Sequence, residues 1–218
     1  MKLYEKLEIT KGITSVVGSG GKTTLIRRLG EELKKDGFSV IVTTTTKIYI
    51  PDYCRLYAGS DSERMKSLLD RSGIVCAGRP FPAGCAEVKL GKSDITLEEM
   101  KAAADYVLVE ADGSKHLPLK AHLPSEPVIP DETGRTVTVV GINGAGKPVK
   151  DVVHRAEVFS ELSGLAPEEP VSVEAVARVI NLEKTGDVVY ISGINTDEDM
   201  KNAVTLAGLI EGSCVLDK

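Results

Sequence analysis

The chain has 218 residues, of which 42% are hydrophobic and 27% charged, a composition typical of a soluble globular protein with a sizeable core. Only 4% of its residues are aromatic and tryptophan is absent, which argues against base stacking on single-stranded nucleic acid. The formal net charge of −5 and the lack of a lysine or arginine run argue against nucleic acid or an anionic membrane as a partner.

The first predicted elements are an apolar strand at residues 13–17 and a helix at residues 23–35 with apolar residues at helical spacing. From Gly18 the segment between them reads G-x-x-G-K-T-T. The common phosphate loop, G-x-x-x-x-G-K-[ST], would require a glycine at the position of Val16. The shorter spacing resembles the loop of Mur ligases and related ATP-dependent ligases.

This loop has the features that phosphate binding requires. Glycines let backbone amides converge on an anion, the following helix N-terminus favours negative charge, and a lysine and a hydroxyl can reach phosphate and Mg²⁺. A plain strand-to-helix turn would need neither Lys22 nor two threonines. We therefore predict a nucleotide site, with Thr23 also binding Mg²⁺, at Gly18, Ser19, Gly20, Gly21, Lys22, Thr23 and Thr24.

The next strand is predicted at residues 39–46, which are rich in β-branched residues and end in four threonines. Two interpretations stay open: these threonines are ordinary strand residues, or Thr44 or Thr46 contacts the γ-phosphate or Mg²⁺. A helix at residues 62–71 and a strand at residues 73–77 follow. Thr96 then begins a helix to about residue 104, with Glu99 completing a capping box.

A buried strand at residues 106–110 ends in the acidic sequence EADGSK. A phosphate loop needs a carboxylate near Mg²⁺, commonly at the tip of an apolar strand. Glu110 and Asp112 are two residues apart, so they share a face while the strand lasts. Either can hold Mg²⁺ while the other orients the nucleophile; the alternative is a solvated turn. The predicted catalytic residues are Lys22, Asp112 and Lys120.

The remaining segments are more irregular at first and then more helical. The proline-rich residues 118–130 are predicted to form a surface flap, and residues 136–142 a strand. The sequence GINGAGKPVK resembles a second phosphate loop, but Pro148 replaces the hydroxyl that would bind Mg²⁺, so it is interpreted as a turn. The last predicted elements are helices at residues 152–162, 172–182 and 197–211 and strands at residues 187–192 and 213–216.

Strands that alternate with helices favour parallel pairing. We therefore predict an α/β fold with an open, mostly parallel sheet flanked by helices, a three-layer arrangement like that of P-loop NTPases. A single domain is predicted over residues 1–218, more helical from about residue 150. Ligands in such sheets bind at the carboxyl ends of strands, where the loop, the threonines and the acidic tip are all predicted to lie.

The cysteines are spaced irregularly and form no C-x-x-C pair, which predicts reduced thiols rather than a zinc site or a disulfide framework. They are Cys54, Cys76, Cys85 and Cys214. The N-terminal sequence lacks the apolar region of a signal peptide, and no apolar run approaches the roughly 20 residues that span a bilayer. We therefore expect a soluble, cytoplasmic protein.

Further basic residues are candidates for contact with a substrate or a transition state, and the sequence leaves their individual roles open. Lys115 and Lys120 are favoured because they follow the acidic strand tip directly. The other candidates are Arg79, His116, His122, His154 and Arg155.

Taken together, several blocks resemble the YqeC family over about residues 10–180: VGSGGKTTL, VTTTTKIY, ADYVLVEADGSKHLPLKAHLPSEPVIP, VVGINGAGKP and VVHRAEVF. Members of that family are described as selenium-dependent hydroxylase accessory proteins. The resemblance implies a cytoplasmic P-loop protein that assists maturation of selenium-dependent molybdenum hydroxylases, with an apo-hydroxylase or a cofactor-maturation protein as partner. Positions that match the family are Gly18 to Thr24, Glu110, Asp112, Gly113, Ser114, Lys120, His154 and Arg155.

The chain departs from the family pattern at two places. His122 stands where a proline is expected. Near the C-terminus the family tends to carry Asn-Lys-x-Asp, which resembles a guanine-reading motif. Here the sequence ISGINTDED has Asn195, Thr196 and Asp197 but no lysine, so both ATP and GTP stay open as ligands.

The sequence as a whole predicts a Mg²⁺-dependent protein that binds ATP or GTP and hydrolyses the γ-phosphate slowly as an accessory factor. Two functional alternatives stay open, besides a degenerate phosphate-loop domain that acts only as a scaffold. One is an ATP-dependent kinase or ligase acting on a small molecule, which the Mur-like loop favours. The other is a nucleotide-switched chaperone without turnover of a small molecule.

Overall fold

The computed structural model describes residues 1–82 and 88–217, so the predicted thiol Cys85 lies outside the described residues. The strands in chain order are β1 (Gly12–Gly18), β2 (Val40–Thr44), β3 (Ile48–Tyr49), β4 (Arg55–Tyr57), β5 (Ile74–Ala77), β6 (Arg79–Pro82), β7 (Val88–Gly91), β8 (Tyr106–Glu110), β9 (Leu119–Lys120), β10 (Arg135–Gly141), β11 (Val153–His154), β12 (Val188–Ser192) and β13 (Ser213–Leu216). The α-helices are α1 (Leu3–Lys6), α2 (Lys22–Lys35), α3 (Ser62–Ser72), α4 (Leu97–Ala103), α5 (Val149–Val152), α6 (Ala156–Ser163), α7 (Val173–Glu183) and α8 (Asp197–Leu209).

The chain divides into two compact units that alternate along the sequence. The first unit comprises Met1–Val16, Thr23–Ala111 and Val128–Arg135. The second comprises Val17–Lys22, Asp112–Pro127 and Thr136–Lys218. The single domain expected over residues 1–218 stays a prediction. Across the described ranges, no helix is both long and apolar enough to cross a membrane.

The first unit is built on parallel strands in the order β1-β8-β2-β5-β4. Helix α2 connects β1 to β2 along the chain, and its residues Leu25, Ile26, Leu29 and Leu33 are buried, as their helical spacing predicts. A parallel sheet covered by helices buries both faces of its strands, which is why β2 and β8 are continuous apolar runs.

A small antiparallel sheet in the first unit, in the order β3-β7-β6, was not predicted from the sequence. Its strands are only two to four residues long, and β6 contains Pro80 and Pro82. Strands this short carry too little alternation to be recognised, and proline argues against a strand assignment except at an edge.

The second unit combines the parallel strands β10-β12-β13 with the parallel pair β9 and β11. Helices α6, α7 and α8 pack around an apolar core whose buried members include Phe159, Val176, Val179, Ile191 and Leu206. The predicted fold class, α/β with open, mostly parallel pairing and flanking helices, is confirmed.

Two local predictions are wrong. The helix predicted at residues 152–162 is interrupted, because Arg155 has a left-handed backbone (φ 66°) that separates α5 and β11 from α6. The surface flap predicted at residues 118–130 is not exposed over its first part, since Leu119, Lys120 and Ala121 are buried and β9 pairs with β11.

Hydrogen bonds to Asp105 connect the residues that precede three strands of the first unit. Its carboxylate accepts hydrogen bonds from Lys11 Nζ (2.6 Å), from the Ser39 amide (3.0 Å) and from Ser39 Oγ (2.8 Å). Lys11 precedes β1, Ser39 precedes β2 and Asp105 precedes β8. The hydrogen bond from Lys11 and those from Ser39 lower the pKa of Asp105 to about 2.

We expect Asp105→Asn to lower the free energy of unfolding at pH 7 by about 1 kcal/mol, because a neutral amide accepts fewer and weaker hydrogen bonds. The folded pKa of Asp105 lies below its unfolded value of about 3.9, so its stabilisation is present above that pH and is lost as the pH falls towards 2. Urea unfolding between pH 7 and about pH 2 measures this convergence of variant and wild type. Asp70→Asn, at an exposed helix ion pair, is the control and should change little.

Candidate functional site

The segment between β1 and α2 is a tight glycine loop. Gly18, Gly20 and Gly21 have φ values of 83°, 84° and 131°, a region that other residues rarely adopt. Space also requires glycine, since a Cβ on Gly18 would meet the Val139 carbonyl oxygen and one on Gly20 would lie 2.6 Å from the Pro118 oxygen. The loop therefore depends on glycine for both its turn and its packing.

Two backbone amides of this loop bond within the second unit. The Gly18 amide donates to Asp112 Oδ2 (3.1 Å), and the Ser19 amide donates to the Val139 carbonyl (2.8 Å). The Ser19 hydroxyl donates to the Leu117 carbonyl, and the side chain is buried. The loop is thus pinned at its first two residues, whereas the sequence predicted that its amides would act together on a phosphate.

Lys22 is buried where α2 begins and extends back along the loop. Its Nζ atom donates to the Gly18 carbonyl (2.8 Å) and to Ser114 Oγ (3.2 Å). The ammonium group therefore lies beside the glycines that form the turn. Its predicted contact with phosphate stays a prediction.

In the first unit, Thr23 and Glu110, both predicted to bind Mg²⁺, are hydrogen-bonded to each other, and their metal role stays a prediction. Thr23 Oγ1 donates to Glu110 Oε2 at 3.1 Å, and Glu110 is buried at the end of β8. Thr44 Oγ1 donates to the Glu110 carbonyl (2.7 Å) and accepts from the Thr46 amide (3.0 Å). The Thr44 hydroxyl thus ties the end of β2 to the end of β8, and its predicted contact with nucleotide stays a prediction, as does that of exposed Thr24.

Asp112 lies in a buried ionic cluster of the second unit rather than at a solvated turn. Its Oδ2 accepts from Gly18 and from His122 Nε2 (2.9 Å), and its Oδ1 accepts from Lys120 Nζ. Burial opposes ionisation, but the hydrogen bonds from His122 and Lys120 outweigh it and hold the pKa of Asp112 below its usual range. Both oxygens of Asp112 are engaged, and its metal role stays a prediction.

His122 is held between two carboxylates. Its Nδ1 contacts Glu183 Oε2 at 2.7 Å, its amide donates to Glu183 Oε1 at 2.7 Å, and its Nε2 contacts Asp112. Burial alone would lower the pKa of His122, but the bonds to Asp112 and Glu183 raise it above its ordinary value. Glu183, at the end of α7, was missed by sequence reasoning, because nothing local links it to a residue 61 positions away.

The outer part of this cluster contains Glu126 and Arg155. Lys120 Nζ lies 3.2 Å from Glu126 Oε2, and Arg155 donates to Glu126 Oε1 at 2.6 Å. Burial opposes ionisation of Glu126, but Arg155 and Lys120 lower its pKa to about 2. His154 is buried nearby, and burial together with the charge of Lys120 lowers its pKa. The structure therefore brings Lys120, His122, His154 and Arg155 into one unit around Asp112.

The other predicted contact residues are exposed on the surface. Lys115 and His116 are exposed and have left-handed backbones (φ 49° and 61°). Arg79 belongs to the antiparallel sheet of the first unit, where it pairs with Asp94.

The C-terminal segment that departs from the guanine-reading pattern forms a helix cap. Thr196 begins α8, accepting from the Asp199 amide, while Asp199 accepts from the Thr196 amide (2.9 Å). Asn195 donates to the Gly193 carbonyl at 3.2 Å. A structural reason for these residues is therefore present, and the choice between adenine and guanine stays open.

Comparison with known proteins identifies relatives of this chain. The sequence model of the YqeC protein family matches residues 14–157. The uncharacterized protein YqeC of Escherichia coli (strain K12) is 30% identical over 177 residues, which are 77% of this chain and 67% of that protein.

Two solved structures were also matched. The 54 kDa signal recognition particle protein from Aeropyrum pernix K1, in complex with GDP, is 14% identical with a TM-score of 0.44. The match covers 95% of this chain but only 42% of that one. The MinC:MinD cell division protein complex of Aquifex aeolicus gives 13% identity and a TM-score of 0.44, over 93% of this chain and 79% of that one.

The opposite pKa directions of two histidines give a direct test of the ionic cluster. We expect His122 to titrate above about 6.5 and His154 below it in an NMR titration assigned with His→Gln variants. A raised folded pKa stabilises below the unfolded value and loses that effect as pH rises through the folded one. His122→Gln should therefore cost more stability at pH 6 than at pH 9, whereas equal costs at both would contradict the assignment.

Proposed function

The chain belongs to the YqeC family, and from this premise and the geometry of its glycine loop we propose that it binds ATP or GTP with Mg²⁺ and hydrolyses the γ-phosphate slowly. The observation that carries the proposal is the loop itself. Three glycines with positive φ stand at the end of β1 and directly after it. The Nζ atom of Lys22 lies 2.8 Å from the carbonyl oxygen of the first of them, Gly18. A strand, a glycine turn and a lysine at a helix N-terminus together provide a phosphate site.

Oxygen atoms support the magnesium part of the proposal. Mg²⁺ prefers oxygen ligands and is usually held by one or two carboxylates with waters and substrate phosphates. Thr23 Oγ1 and the buried Glu110 Oε2, 3.1 Å apart, supply a hydroxyl and a carboxylate of this kind. Thr23 directly follows Lys22 in the chain, as the hydroxyl residue follows the lysine in phosphate loops. Bound there, the ion would neutralise charge on the β- and γ-phosphates.

In this proposal the buried cluster sets the charge around the loop. Lys22 stabilises negative charge on the transferring phosphoryl group. Asp112 holds the first loop amide and thereby the position of the turn, while Lys120, bonded to Asp112 and to the Gly113 carbonyl (2.7 Å), keeps that carboxylate ionised. The sequence also predicted that Asp112 orients the attacking group. In this proposal Asp112 would do so indirectly, by fixing the position of the glycine turn.

The biological role that we propose comes from the family resemblance alone. The protein would act as an accessory factor in maturation of selenium-dependent molybdenum hydroxylases, with an apo-hydroxylase or a cofactor-maturation protein as partner. Nucleotide-dependent retention of such a partner, compared between ATP-loaded and ADP-loaded protein, tests it. Equal retention in both states would argue against a nucleotide-driven role.

One observation favours a second function, an ATP-dependent kinase or ligase acting on a small molecule. The loop spacing G-x-x-G-K-T-T is that of the Mur-type ligases rather than of the common phosphate loop. Ligases of this type form an acyl phosphate on their substrate. Phosphate release that requires a small carboxylic acid or amine, and no protein partner, would favour this function over slow hydrolysis.

Lys22→Ala should abolish the thermal stabilisation given by ATP or GTP, because the variant loses the cation beside the phosphates. A ligand at a hundredfold excess over its Kd contributes about 2.7 kcal/mol, which raises the Tm of a chain of this size by about 5–10 °C. Differential scanning fluorimetry with ATP, GTP, ADP and GDP measures the effect. Lys147→Ala, in the loop that ends with Pro148, is the matched control and should respond like wild type.

Thr23→Val and Glu110→Gln test the metal part separately. Each should reduce the extra stabilisation that Mg²⁺ adds to the nucleotide, while leaving the smaller shift measured with nucleotide in EDTA. A Lys22→Ala protein that binds nucleotide as tightly as wild type would overturn the phosphate site. Unchanged Mg²⁺ dependence in both other variants would overturn only the metal site.

A further inference from the structure

A cavity lies in the first unit, among α2, α3 and the segment that leads into β4. It has a volume of about 560 Å³ and is lined in part by Cys54. Lys34, Arg55 and Arg71 contribute three positive charges to its lining, against the single carboxylate of Asp52. The lining therefore favours a small anion.

Cys54 and Cys76 belong to one apolar cluster of the first unit. Cys76 is on β5, and Cys54 directly precedes the neighbouring strand β4, whose Leu56 is paired with Cys76. Cys76 is fully buried with Ile48 and Leu90, and Cys54 packs against this cluster while remaining partly exposed.

The contact between the two thiols gives them unequal roles. A hydrogen bond from Cys76 lowers the pKa of Cys54, and the positive charge of Lys34 acts in the same direction, against burial and Asp52. The same hydrogen bond and burial raise the pKa of Cys76. Thiolates, not thiols, are the nucleophiles of thiol–disulfide exchange. The accessible member of the pair is thus the one that ionises first.

We propose that Cys54 is a nucleophilic thiol that reacts with small anionic disulfides entering this cavity, with Cys76 acting as the hydrogen-bond donor to it. The Cys54 sulfur attacks one sulfur of the disulfide, a new sulfur–sulfur bond forms, and the second sulfur leaves as a thiolate. No other oxidant is required, because the disulfide is itself reduced. This activity is separate from the nucleotide site and does not depend on it.

The chain supplies its own comparison thiol. Cys214, on β13, is also partly exposed, but burial raises its pKa. With Cys85 replaced by serine, Cys54 and Cys214 are the two partly exposed thiols in the described part of the chain. At pH 7 Cys54 should react with the dianionic reagent dithiobis(nitrobenzoate) at least about tenfold faster than Cys214. Cys54→Ser should remove the fast phase, and Cys214→Ser should leave it.

Charge and hydrogen bonding are tested by paired variants in the same background. Lys34→Met should slow the dianionic reagent about threefold and leave neutral dithiodipyridine unchanged, while exposed Lys35→Met should affect neither. Cys76→Ala should slow both reagents, and Cys76→Ser, whose hydroxyl can donate, should restore the rate. Equal reactivity of Cys54 and Cys214 overturns the proposal. Equal effects of Lys34→Met on both reagents overturn the anion preference.

Discussion

The carboxylate of Asp112 is the interaction on which the glycine loop depends. It is almost completely buried, and a buried charge without partners would cost several kcal/mol. Its oxygens instead accept from the Gly18 amide, from His122 and from Lys120. Because the Gly18 amide is one of these donors, the start of the loop is fixed by the same bonds that make the carboxylate tolerable. The same hydrogen bonds therefore determine both the conformation of the loop and the ionisation of Asp112.

The surrounding groups of the second unit pair acids with bases. The three carboxylates Asp112, Glu126 and Glu183 contact Lys120, Arg155 and His122, and against burial the bonds to Asp112 and Glu183 raise the pKa of His122. Removing one member of such a network destabilises strongly, because a buried charge then loses a partner. His122, at a position where the sequence resemblance led us to expect a proline, extends the network to α7 through both its ring and its amide. The glycine loop is thus linked to α7 through Asp112 and His122. A proline at position 122 would have neither a ring nitrogen nor an amide hydrogen for these bonds.

Two separate groups of side chains lie along the parallel strands β1, β8, β2 and β5 of the first unit. At the carboxyl ends of β8 and β2, Glu110 meets the hydroxyls of Thr23 and Thr44. Beside β5, Cys54, the residue before β4, lies against the apolar cluster that contains Cys76. The arrangement at the carboxyl ends needs no unusual backbone, because parallel strands in register present side chains at matched heights. What differs is the chemistry of the residues that these positions carry.

The sequence by itself determined the features that neighbouring residues decide. The periodicity of α2, the glycine loop with its lysine, the acidic end of β8 and the capping box at Thr96 all follow from interactions within a few positions. Tertiary structure alone decided the partners: Asp112 with Gly18, 94 residues apart, and His122 with Glu183, 61 residues apart. It also decided that β11 and the left-handed Arg155 interrupt the helix predicted at residues 152–162, and that Lys120 lies buried rather than on a flap. The physical reason is that ionisation and hydrogen bonding of buried groups depend on which surfaces fold against each other, and local sequence carries no record of that.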